Sequence, residues 1–144
     1  MGEQSELSVV TKAKELCQYV VTITENSPKR FRFTFVSRMQ NLALDVIESL
    51  FRANDVFIGP GGTRADWHER RGLQRRALTS ARLLAYVAML AAEHGCIAMK
   101  HFEQISSLTL ACQRMIGGWI SSDNKRRPPL DGSDRAVVAG EGPG

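Results

Sequence analysis

Apolar residues recur at intervals of three and four in four separate stretches of the chain, the period of a helix with one buried face. The first, residues 7–25, places Leu7, Val10, Ala13 or Lys14, Cys17, Val20 and Thr24 on one side and is closed by Pro28, with Ser5 or Ser8 as its cap. The second, residues 34–54, sets Phe35, Met39, Leu42, Val46 and Leu50 on one face behind an N-cap at Thr34. Beside that face runs a second apolar line of Leu44, Ile47 and Phe51. The third stretch, residues 65–94, starts at Arg64 or Ala65, tolerates Gly72 at modest cost and is stopped by Gly95. The fourth, residues 99–121, has Phe102, Ile105, Leu108, Cys112, Met115 and Trp119 as its core line.

Strand-like alternation never extends beyond a few residues, and the connections are short. Gly59-Pro60-Gly61-Gly62 cannot sit inside a helix and separates the second from the third. The pattern therefore predicts an all-α fold, an antiparallel up-down four-helix bundle over residues 1–122. Residues 123–144, basic and then rich in Gly and Pro, have too few large apolar side chains to build a core and are expected to form a disordered tail.

The second and third helices carry more apolar surface than one face accommodates. From Leu83 to Ala92 the residues are apolar almost all round. Left in water such a surface aggregates, so a homo-oligomer is expected, with Leu44, Ile47, Phe51, Leu84, Ala88 and Trp119 as its contact or partner-anchor residues. For Gly117-Gly118-Trp119 a packing explanation is also open, in which the glycines permit close helix approach and the indole fills the end of the core.

Composition sharpens the functional question. The chain has 144 residues, 43% hydrophobic and 24% charged, which is the make-up of a folded domain of ordinary size. No apolar run reaches the ~20 residues of a membrane helix. Three cysteines, Cys17, Cys96 and Cys112, lack CxxC spacing and read as reduced core thiols of a cytoplasmic protein without a signal peptide. The net charge of +4 is unevenly placed: between Lys29 and Arg82 eleven basic residues face five acidic ones, and ten of the eleven are arginine. Arginine's planar fork matches phosphate oxygens two at a time.

On a continuous third helix Arg64, Arg71, Arg75 and Arg82 fall within about 20° of one line, with His68 beside it and Arg70 and Arg76 on its flanks. That line runs roughly 27 Å, long enough to follow several phosphates. Lys29, Arg30 and Arg32 on the first turn extend the basic set, near Lys100 and His101 if the bundle is up-down. The simpler explanation of all these charges is a solvated surface. Phe31, Phe33 and Phe35 alternate with the turn's basic residues; they either staple the helix start or offer rings for base stacking. Catalytic signatures are missing. His68, His94 and His101 share no face with a carboxylate pair, and Gly59 to Arg64 lacks both the order and the preceding strand of a phosphate loop. Neither an enzyme nor a cofactor or metal is expected.

Arg32-Phe33-Thr34, then Asn41-Leu42-Ala43-Leu44-Asp45-Val46-Ile47 and Ala53-Asn54, and later Met115-Ile116-Gly117-Gly118-Trp119-Ile120 resemble the accessory variability determinant of diversity-generating retroelements. The likeness spans residues 7–122. It implies a four-helix bundle assembled into a homopentameric barrel with a basic surface, which binds the element's reverse transcriptase and its template RNA, and possibly the cDNA, to support mutagenic retrohoming without catalysis of its own. A related branch, encoded in intervening sequences of 23S ribosomal RNA, shares the bundle. This chain departs from that branch where Ala53-Asn54-Asp55 replaces an alanine-glutamate-glycine ending. The alternative from another class is a protein-interaction scaffold that never touches nucleic acid.

Overall fold

The computed structural model describes the backbone of residues 2–126 and the side chains of residues 8–126, and among these residues it contains four long helices and no strand. Helix α1 spans Gly2–Thr24, α2 Ser37–Asp55, α3 Arg64–Glu93 and α4 Met99–Arg126. Neighbours in sequence pack together and α1 closes on α4, while the diagonal pairs barely touch, which is the arrangement of a four-helix bundle. Cross-links at the ends make the helices antiparallel. Ser27 Oγ donates to Cys96 O at 2.9 Å, tying the α1–α2 turn to the α3–α4 turn, and Arg70 near the start of α3 reaches Asp123 near the end of α4.

The core lies along the bundle axis. Leu16 and Val20 from α1, Met39, Val46 and Leu50 from α2, Leu84 from α3, and Ile105, Cys112 and Ile116 from α4 are fully buried. Small residues are buried in both α2 and α3, Ala43 and Ala53 from the first and Ala77, Ala81, Ala88 and Ala91 from the second, and these two helices share the most extensive contact. Short side chains at a helix crossing let backbones come near the lower end of the usual 8–10 Å spacing.

Several boundaries differ from the sequence expectation for identifiable reasons. Ser5 and Ser8 lie inside α1, which starts at Gly2. Thr34 does not cap α2. A 3-10 turn over Lys29–Phe31 and a π turn over Arg32–Val36 precede that helix, and the Thr34 hydroxyl donates back to Phe31 O instead. Helix α3 starts where expected because Thr63 Oγ1 accepts from Asp66 N–H while the Asp66 carboxylate accepts from Thr63 N–H, a reciprocal cap. Gly95, at φ +81°, ends the same helix in the left-handed region that favours glycine. Helix α4 continues to Arg126, past the Ser121 expected; residues 123–126 are therefore helical, and the rest of the expected tail lies outside the described residues. No backbone approaches Gly117 or Gly118, both of which face open space, so close packing does not explain them.

Candidate nucleic-acid interface

Helix α3 is continuous from Arg64 to Glu93, so the arginine line is a geometric fact of the molecule. Its buried residues, among them Trp67, Gln74, Ala77, Ala81 and Ala88, define the core side. At 100° per residue Arg64, Arg75 and Arg82 lie roughly 130° round from the centre of that side, and all three are exposed, as is His68. Arg71 belongs to the same line but is half-buried, and its guanidinium donates to Asn124 Oδ1 of α4. The line therefore borders the α3–α4 groove. Between Arg64 and Arg82 no carboxylate shares it, and Arg75 and Arg82 form no ion pair with another described residue.

Arg76 is also exposed but sits on the other flank of α3, towards α2. On that side the groove near the start of α3 is lined by Asp55, Asp66 and Glu69 as well as Arg52, so the field there is mixed.

Arg70 does not belong to the basic surface. It lies about 120° from the line, only 3% exposed, at the end of the core. Its Nε and Nη2 donate to the two carboxylate oxygens of Asp123 at 2.7 and 2.9 Å, and its Nη1 approaches Ala53 O and Val56 O at the end of α2. The guanidinium carbon sits 4.8 Å from the centre of the Trp119 ring. Gln74 Nε2 and Arg126 Nη2 complete the carboxylate's partners, each at 2.8 Å. A buried charge is tolerated only when paired, and this pair ties together the ends of α2, α3 and α4. Burial on its own would raise the Asp123 pKa; the hydrogen bonds from Arg70, Arg126 and Gln74, with the attraction of Arg70, outweigh it and hold the carboxyl below its ordinary value.

The expected contact residues divide in the same way. Leu84, Ala88 and Trp119 are at most 1% exposed and belong to the bundle's own core, so they are removed from any partner surface. Trp119 fills the end of the core beneath Arg70, which meets the tryptophan half of the packing explanation but not its glycine half. Leu44 and Phe51, 53% and 54% exposed, stay on the outside of α2 with half-buried Ile47 beside them. Leu83 and Tyr86 are the outward apolar residues of α3.

At the other end of the bundle Lys29, Arg30 and Arg32 are exposed on the α1–α2 turn, on the same end as exposed Lys100. The three phenylalanines of that turn part company. Phe31 and Phe35 pack against the core and each other, with ring centres 5.8 Å apart, and Phe35 lies 5.4 Å from His94. Phe33 points into solvent.

Cys17, Cys96 and Cys112 are free and buried. Burial pushes all three thiols up, Cys112 to about 11, so they are un-ionised packing groups at neutral pH. No described helix is long and apolar enough to cross a membrane. No protein-family model, curated protein or solved structure matches the chain.

Proposed function

We propose that this chain is a non-catalytic nucleic-acid-binding subunit, an accessory protein of the diversity-generating retroelement type that holds template RNA or cDNA against the element's reverse transcriptase. The observation that carries the reading is the line of guanidinium groups along one continuous helix, Arg64, Arg75 and Arg82 with Arg71 at its inner edge, on which the helix itself places no acidic residue. Lys29, Arg30 and Arg32 add charge at the far end of the bundle. Contacts of this kind neutralise phosphates and carry little sequence information, so selectivity would come from RNA shape or from the polymerase. The resemblance quoted above supplies the polymerase partner. The outward apolar line Leu44, Ile47 and Phe51 supports self-association, with five subunits as the number the resemblance implies.

The test is charge reversal at two residues that form no ion pair with another described residue. In Arg75→Glu/Arg82→Glu, affinity for single-stranded RNA measured by fluorescence anisotropy should fall at least tenfold, with helicity unchanged by circular dichroism. Undiminished affinity would remove α3 from the binding surface. The double variant has a built-in control, because both side chains are exposed and their replacement opens no cavity.

A further inference from the structure

The exposure of Phe33 has no packing explanation. Phe33 is 87% exposed, yet it sits on a rigid element: Phe31 and Phe35, two residues away on either side, are anchored in the core and hold the π turn between them. Residues two apart on a helical turn point to nearly opposite sides, so anchoring its neighbours aims Phe33 outward. π turns recur at functional sites because their extra residue displaces a side chain from the regular register. Leaving a large ring in water forfeits the stabilisation that its burial would bring.

The ring forms one wall of a cleft of about 510 Å³ between the start of α2 and the end of α3. Phe35, Val87 and Leu90 supply its apolar surface, while Arg38 and Asn41 stand at its polar edge; no carboxylate lines it. Asn41 and Arg38 are both exposed, and Arg38 forms no ion pair with another described residue. Tyr86, 59% exposed, and Arg82 lie one and two turns before Leu90 on the same i, i+4 ridge of α3. The ridge thus leads from the arginine line into the cleft. Arg32 directly precedes Phe33 in the chain, although it and Lys29 line a separate groove at the α1–α2 turn.

We propose that this cleft takes one unpaired base of a single-stranded nucleic acid, stacked on Phe33, with Asn41 at the base edge and Arg38 at the neighbouring phosphate. An aromatic face beside unpaired guanidinium groups is the usual arrangement for binding single strands without strong sequence preference, since every base has a stackable face. A duplex cannot use it, because its bases are already stacked and paired. The inference rests on the reading of the chain as nucleic-acid-binding and narrows it to single strands.

The experiment compares the wild type with Phe33→Ala and Phe33→Trp on three probes of equal length: an oligothymidylate, an abasic strand and a duplex. Phe33→Ala should weaken oligothymidylate binding by about fivefold to a hundredfold, leave the abasic strand and the duplex unaffected, and keep the helicity of the wild type. Phe33→Trp should restore the loss. If the wild type binds none of the probes, the nucleic-acid reading falls and the cleft with it. If the wild type binds but Phe33→Ala holds oligothymidylate as tightly, the cleft alone is overturned; a simultaneous change in oligomer size would then assign Phe33 to a protein contact.

Discussion

Two arginines one position apart in the sequence have opposite fates, and the difference is angular. Arg71 lies on the outward line of α3 and meets Asn124; Arg70, 100° away, is pulled into the end of the core by Asp123. Removing Asp123 takes from the buried Arg70 guanidinium the carboxylate to which two of its nitrogens donate. Asp123→Ala should therefore cost about 3–5 kcal/mol in urea denaturation, while Asp123→Asn, which keeps acceptor geometry on one oxygen, should cost less. The pH dependence has a definite sign. Because the folded carboxyl titrates below its ordinary value of 3.8, its contribution is complete above that value and is lost as pH falls through the lowered one. Asp123→Ala and Asp123→Asn should both flatten the acid limb of the stability profile. An acid limb identical to the wild type in both would show that the pair holds nothing together.

At the scale of elements, the four helices were legible because each carries a strict three-and-four apolar repeat, and the lines through Met39–Leu50 and Ile105–Trp119 are the ones the core uses. The starts and stops that rest on glycine or proline, such as Gly95, were legible too. What escaped was chemistry across elements. The extension of α4 to Arg126 depends on Asp123 finding Arg70, fifty-three residues away, and no local signal announces that pairing. The 3-10 turn and the π turn before α2 leave no trace in the three-and-four repeat either. In the same way Leu84 and Ala88 could not be told from Leu83 and Tyr86 by composition, because the whole segment is apolar and only packing chooses the inward side. Helix α2 keeps Leu44 and Phe51 outside, and that face carries a prediction of its own. Sedimentation velocity should find the wild type as an assembly several times its 16.0 kDa mass, and Leu44→Glu/Phe51→Glu should reduce it to smaller species. A wild type that sediments as a monomer would leave the α2 face without a self-association role.

For the molecule as a whole, the bundle carries two basic regions, one along α3 and one at a turn. The arginine line starts at the end carrying the Arg70–Asp123 pair, and the turn with Lys29, Arg30 and Arg32 closes the other. Acidic residues gather on the α2 flank near the start of α3, so the positive surface has a direction as well as a sign.

The central claim, that this surface binds a nucleic-acid backbone through phosphates, is tested most directly by the salt dependence of single-strand affinity. Engagement of three or four phosphates predicts that log K against log salt falls as a straight line with a slope of about −2 to −3. An affinity that does not change with salt would contradict the account.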